Sequence, residues 1–260
     1  MNSNKTSRGK TSEEAGFHNK CFLGEPATAN KLERWILSLS PAMPDPIDKM
    51  TTALGEVRDK RICEIGCGSG GLTRELAFRG AYVSASDVSA EAVRLTRDTA
   101  REFIPEKVDV QQMDACNLLY SDASFDLVVG MAILHHVDIY KASKEINRVL
   151  KPRCKAVFIE PLAHNPISNI WRRLSPTVRT KDERPLAYSE ISEMGKLFSS
   201  VRCQEYALLT LLSSFVCLIT HSQKAKERSA ELLDRLDPVL LQICKPLRKC
   251  SGAALIEFTK

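Results

Sequence analysis

From Lys60 onward, short apolar runs alternate with segments whose apolar positions recur every three or four residues. The first kind suits strands covered on both faces, and the second suits helices packed on them. Lys60–Ile65, Ala81–Ser86, Val108–Met113, Phe125–Met131 and Ala156–Ile159 read as strands one to five. Leu72–Phe78, Ala90–Phe103 and Ile139–Leu150 read as the intervening helices; Ser89 is the N-cap candidate of the second, and Pro105 stops it. A further helix starts near Ser189 and ends at Gly195–Phe198, followed by Val201–Leu209 as strand six and Ala253–Phe258 as a closing strand. Strand–helix alternation with short connections predicts an α/β fold, a parallel sheet wound on both sides.

The flanks read differently. Residues 1–16 are polar and charged and predict a disordered tail. Residues 17–55 predict N-terminal helices: Leu32, Trp35, Ile36 and Leu39 share one face before Pro41, and Ile47–Leu54 forms a second helix that packs on the sheet edge or lids a pocket. Residues 56–260 hold the α/β domain, with a helical insertion at 210–251 whose leucines predict two or three helices. The longest apolar run, Ala207–Ile219, spans thirteen residues with three polar interruptions. That is too short to cross a bilayer, so no membrane span is expected.

Composition narrows the class. A formal net charge of +5 is modest and argues against a dedicated nucleic-acid surface. Nine cysteines without a C-x-x-C pair fit free thiols in a reducing compartment, with no metal site expected. The polar first sixteen residues hold no signal peptide, so the expected location is cytoplasmic.

The candidate chemistry centres on Arg61–Leu76, R-I-C-E-I-G-C-G-S-G-G-L-T-R-E-L. A strand feeding a helix through Gly66, Gly68, Gly70 and Gly71 presents backbone N–H groups at the positive end of a helix dipole, where nucleotide-like ligands bind. The glycines satisfy both G-x-G-x-x-G, the dinucleotide spacing, and G-x-G-x-G. Glu64 tilts the choice: a carboxylate repels a pyrophosphate and welcomes an ammonium or sulfonium, which favours S-adenosylmethionine (SAM). Ligands of open α/β sheets sit outside the carboxyl ends of the strands. Those ends carry Glu64, Asp87, Asp114, then Gly130 and Met131 with His135 and His136 beyond, and Glu160. Asp87 stands 17 residues after Gly70, near the roughly 20 at which a carboxylate takes ribose hydroxyls.

The runs E-I-G-C-G-S-G, S-D-V-S, M-D-A, F-D-L-V-V-G-M-A-I-L-H-H-V and E-I-N-R-V-L-K-P, in that order, resemble the class I SAM-dependent methyltransferases, in particular the small-molecule branch that includes ubiquinone and menaquinone biosynthesis enzymes. The resemblance implies a Rossmann-like three-layer αβα sandwich, its seven-stranded sheet ordered 3-2-1-4-5-7-6 with the last strand antiparallel. It implies that Glu64, Gly66, Cys67, Gly68 and Gly70 meet the methionine part of SAM. Asp87 would bind the ribose hydroxyls and Val88 the adenine face. Asp114 would bind the adenine amine, with Ala115 contributing a backbone N–H, and Gly130 and Met131 would border the methionine carboxylate and methyl group. Asp126 is expected to be structural.

The expected activity is methyl transfer to an O, N or C atom of a small-molecule acceptor, leaving S-adenosylhomocysteine. A tRNA or protein methyltransferase and a non-catalytic SAM-binding protein are the alternatives. His135 and His136 are the candidate bases. Glu160, His164, Arg172, Arg173 and Tyr188 are the candidate acceptor contacts, on or beside a substrate-facing loop at 161–188. The arginines suit an anionic acceptor, although a solvated face paired with Asp182 and Glu183 explains them slightly better. Oligomeric state is not legible.

Overall fold

Five buried or half-buried residues in a row make Ile62–Gly66 the natural middle of a layered fold, and the chain winds outward from there. In the computed structural model, which describes residues 15–16, 19, 45–174 and 184–260, β1 (Arg61–Ile65) pairs in parallel with β2 (Tyr82–Asp87) and with β4 (Phe125–Met131). Beyond β2 lies β3 (Val108–Gln112). Beyond β4 lie β5 (Leu150–Pro161), β7 (Ala253–Thr259) and β6 (Ser200–Tyr206). The order is β3-β2-β1-β4-β5-β7-β6, and β7 is antiparallel to both neighbours. This is the Rossmann-like sandwich the motifs implied.

Strand periodicity of two sends successive side chains to opposite layers. Cys63, Ile65 and Val128 enter one core with α4 (Ile139–Val149) and α6 (Tyr188–Gly195). Ile62, Leu127 and Val129 enter the other with α1 (Pro46–Leu54) and α2 (Gly71–Phe78). The fully buried Phe125, Phe158, Ile146 and Leu150 each contribute about 1.5–3 kcal/mol by leaving water. Ser89 caps α3 (Ala90–Phe103), accepting from the Ala92 amide.

Two strand boundaries differ by more than two residues from the sequence reading. β5 begins at Leu150, six residues early, because Lys151 precedes Pro152 and a residue before proline avoids the helical region. β6 ends at Tyr206 rather than Leu209, since Ala207 takes a left-handed φ of 58° that breaks the ladder. The insertion resolves into a 3₁₀ turn at Thr210–Leu212, α7 (Ser213–Thr220), α8 (Gln223–Ile243) and a second 3₁₀ turn at Lys245–Cys250. α5 (Pro166–Leu174) occupies the segment after β5. The helix expected over Leu32–Leu39 lies outside the described residues. Among the described residues no helix is long and apolar enough to cross a membrane.

Candidate functional site

The glycine turn after β1 is held from below. Gly66 and Cys67 donate their amides to the Ser86 carbonyl at 2.8 and 3.0 Å, and Gly70 donates to the Cys67 carbonyl at 2.9 Å. Gly68 donates to Asp87 Oδ2 at 3.0 Å, while Thr96 Oγ1 donates to the Gly68 carbonyl at 3.0 Å. Gly66 and Gly70 have φ of 73° and 82°, and a Cβ on Gly66 would stand 2.8 Å from Ile133 Cγ1. The residue type is therefore fixed twice at Gly66, by backbone conformation and by space.

This corrects one expectation. The amides of Gly66, Cys67, Gly68 and Gly70 bond within the protein instead of pointing at a ligand. A pyrophosphate cradle needs free amides, so this loop suits a ligand recognised by carboxylates. Glu64 stands beneath it, 2 % exposed, accepting a 2.5 Å hydrogen bond from Thr73 Oγ1. Burial pushes its carboxyl up to about 8; the Thr73 bond opposes this and the Asp87 charge adds to it. Burial likewise drives the Cys67 thiol upward, so the sulfur in the turn stays protonated.

Asp87 closes β2, its Oδ1 accepting from the Ser89 amide at 2.8 Å. Both its oxygens keep lone pairs for further donors, as a ribose diol offers. Val88 follows, half-buried, its carbonyl accepting from Gln112 Nε2 at 2.9 Å. Asp114 forms an Asx turn, with the Cys116 amide 2.8 Å from its Oδ1, and Ala115 is buried beside it. Asn19, which nothing in the sequence singled out, accepts at 2.6 Å from Ser89 Oγ and at 3.1 Å from the Glu91 amide, joining the start of α3.

After β4 the chain turns sharply. Gly130 leaves no room for a side chain, since a Cβ would meet the Ile65 carbonyl oxygen at 2.9 Å. Ala132 is left-handed at φ 52° and exposed, and Met131 is half-buried. A 3₁₀ turn, Leu134–His136, follows. Glu160 holds this turn: Oε1 accepts the amides of Ile133 and Leu134 at 2.9 and 2.8 Å, and Oε2 lies 2.7 Å from His135 Nδ1. Side-chain exposure is 4 % for His135 and 0 % for Glu160. The carboxylate named as an acceptor contact is therefore enclosed by protein, and reaches an acceptor only through the imidazole it orients. The His135 and His136 rings lie against each other at 4.1 Å.

The other acceptor candidates scatter. His164 is exposed and stands edge-on to Tyr188, ring centres 6.3 Å apart. Tyr188 Oη lies 3.0 Å from the Arg248 carbonyl and 3.2 Å from Glu205 Oε1, and burial raises its phenol pKa. On α5, Arg172 is half-buried and Arg173 exposed. Arg184 pairs with Glu190 at 2.6 Å; Asp182 and Glu183 lie outside the described residues. Asp126 proves structural as expected, binding the Arg61 amide and Lys151 Nζ.

The sequence reading missed a cluster at the carboxyl end of β6. Lys49 of α1 lies 3.5 Å from Asp234 of α8 and 4.8 Å above the Tyr206 ring. Ile47, on the same helix, stands 3.2 Å from where a Gly71 Cβ would be. α1 thus touches both the glycine turn and the insertion. Residues so far apart in sequence leave no periodic or motif signal. Among the described residues no group of three His, Cys, Asp or Glu is arranged to hold a metal.

Residues 63–158 match the methyltransferase domain family. A ubiquinone biosynthesis O-methyltransferase of Alkalilimnicola ehrlichii is 34 % identical over 127 residues, covering 48 % of this chain and 51 % of that one. Norajmaline N-methyltransferase of Rauvolfia serpentina is 33 % identical over 122 residues, covering 46 % and 41 %. The chain spans about half the length of the curated relatives it matches. Phosphoethanolamine N-methyltransferase 2 of Haemonchus contortus, solved with S-adenosyl-L-methionine, shares the fold at TM-score 0.60 and 17 % identity, covering 93 % of this chain and 60 % of that one.

Proposed function

We propose that the protein, whose residues 63–158 match a methyltransferase domain, transfers a methyl group from SAM to an O, N or C atom of a small-molecule acceptor. The observation that carries this is the donor set at the strand ends. Glu64, Asp87 and Asp114 are three carboxylates at the strand ends around a glycine turn whose Gly66, Cys67, Gly68 and Gly70 amides are engaged. Such a set complements a ligand rich in donors and positive charge: an ammonium, a sulfonium, a ribose diol and an exocyclic amine. SAM has all four, and it supplies a methyl group already activated on a sulfonium.

The chain's part is then binding, orientation and exclusion of water. Glu64 and the turn Gly66–Gly70, with Cys67 and Gly68 between, hold the methionine end, bordered by Gly130 and Met131. Asp87 and Val88 hold the ribose and adenine, Asp114 accepts from the adenine amine, and the Ala115 amide donates to the adenine ring. Where the acceptor must lose a proton, His135 is the base. Glu160 fixes its Nδ1–H tautomer, which leaves Nε2 to take the proton. His136, its ring tilted by 39° against that of His135, braces it. Arg172 and Arg173 on α5 make an acidic acceptor the preferred class, with His164 and Tyr188 nearby in sequence as further contacts. The relatives act on O and N acceptors by their names, so the methylated atom is left to experiment.

Titration calorimetry with SAM and S-adenosylhomocysteine tests the cofactor assignment. Binding is expected in wild type and is weakened at least about tenfold in Asp87→Ala; equal affinity in both would remove the site from this position. Transfer of labelled methyl to a metabolite extract, with tRNA and protein fractions beside it, tests the acceptor class. Label appearing only in a macromolecular fraction would overturn the small-molecule reading.

A further inference from the structure

Helix α8 is turned inside out. Its fully buried positions include Lys226 and Asp237, 4 % and 1 % exposed, beside Ala230 and Leu241. Asp237 accepts from the Leu208 and Leu209 amides at 2.8 and 2.7 Å and from Thr210 Oγ1 at 3.1 Å. A polar anchor thus faces the protein. The opposite face carries Leu232, Leu236, Val239 and Ile243, which are 60, 47, 56 and 78 % exposed. Their 4-3-4 spacing sets them in one straight row. Ile219 of α7, 79 % exposed, adds to the apolar surface of the insertion.

What covers this row is indicated by charge. At 100° per residue, exposed Lys224, Arg228 and Arg235 fall along one border of the apolar row, while Glu227 and Glu231 fall farther round the helix. Exposed Lys245 and Lys249 follow directly after Ile243. An apolar stripe bordered by cations, with Glu231 just behind that border and Glu227 farther round, is the pattern of a helix lying in the headgroup layer of an anionic bilayer. A second copy fits less well. Residues 232–243 span only about 18 Å of helix, too short a row to supply the roughly 800 Å² per partner of a stable pair.

We propose that the outer face of α8 docks on an anionic lipid bilayer, with the apolar row entering the headgroup region and the basic border contacting lipid phosphates. The Asp237 anchor ties α8 to the carboxyl end of β6, and β6 runs parallel to β1 and β5. Helix α8 therefore lies at the carboxyl end of the sheet, the end that carries Glu64 and Glu160. Membrane contact brings the acceptor side of the site to the lipid surface.

The test uses the full chain and vesicles of phosphatidylcholine with or without phosphatidylglycerol, and needs neither SAM nor an acceptor. Its failure would therefore leave the methyl-transfer reading intact. Wild type is expected to sediment with the mixed vesicles and not with phosphatidylcholine alone, less strongly as salt rises. Leu236→Glu with Ile243→Glu, and separately Arg228→Glu with Arg235→Glu, should each weaken binding at least about tenfold. All four side chains are exposed, so melting temperature should hold and a folding defect can be recognised. Wild type that ignores anionic vesicles, or variants that bind as wild type does, would overturn the proposal. So would a wild-type dimer that Leu236→Glu converts to monomer, because the row would then be an interface between copies.

Discussion

Replacing Glu64 with glutamine keeps the size and the accepting oxygen of the side chain while abolishing its titration. The folded carboxyl stands at about 8 against an ordinary 4.5, chiefly through burial. A group that holds its proton more tightly when folded stabilises the fold fully below its unfolded pKa. That contribution is lost as pH rises towards the folded one. Wild type should therefore lose about 1.4 kcal/mol per pH unit on this account, or about 3 kcal/mol between about pH 5.5 and 7.5. Glu64→Gln is exempt. The difference in unfolding free energy, variant minus wild type, should grow by that amount across the window, as read from urea unfolding followed by circular dichroism without ligand.

Ligand reverses the sign. A cation beside Glu64 favours its ionised form, so SAM affinity in wild type should rise with pH, by up to about tenfold per unit below 8. Calorimetry in buffers of different ionisation enthalpy should detect a proton released on binding. Glu64→Gln should bind more weakly at pH 8, with an affinity flat in pH and no proton release. If the variant and wild type kept parallel unfolding curves at every pH, Glu64 would not be the buried acid described, and the coupling argument would fall with it.

Gly66→Ala places a Cβ 2.8 Å from Ile133 at a φ of 73°, costing about 1–3 kcal/mol; thermal melts should show it, and adding Ile133→Ala should restore part of the loss. Glu160→Ala orphans the buried amides of Ile133 and Leu134 and should destabilise by about 2–4 kcal/mol in urea unfolding. Glu160→Gln keeps an oxygen for those amides but turns an N–H₂ towards His135 Nδ1. Stability and SAM affinity should then hold while kcat drops about a hundredfold, in line with losing a positioned base. Asp237→Ala removes the acceptor shared by Leu208, Leu209 and Thr210. It should cost about 2–4 kcal/mol and expose the α7–α8 segment to limited proteolysis.

Most of the sheet was legible because its central strands are covered on both faces and so announce themselves as apolar runs. Phe125–Met131 was read to the residue. The errors fall where a local rule outweighed periodicity. Leu150 continues the helical pattern until Pro152 is allowed to act on the residue before it. Val201–Leu209 reads as one strand and hides a break at Ala207, whose left-handed φ leaves the next two amides to Asp237, on a helix 28 residues away from Leu209. Apolar content alone predicted helices in the insertion, but not that α8 would bury its charges and expose its leucines.

The carboxylates show most sharply what a sequence withholds. Glu64, Asp87 and Glu160 occupy equivalent places, each at or next to the end of a parallel strand, and pattern alone gives them equal claims on a ligand. Their hydrogen bonds rank them. Glu160 accepts two amides and an imidazole, a set that satisfies it within the protein. Asp87 accepts two amides and is half-buried, with lone pairs left for a diol. Glu64 is as buried as Glu160, yet among the described residues its carboxylate draws a hydrogen bond only from the Thr73 hydroxyl, and its proton is held up to about 8. A buried acid with so few donors stays neutral in the ordinary pH range unless a cation arrives to share its charge. The carboxylate least satisfied by the chain is therefore the one to which the proposed cofactor's positive charge is assigned.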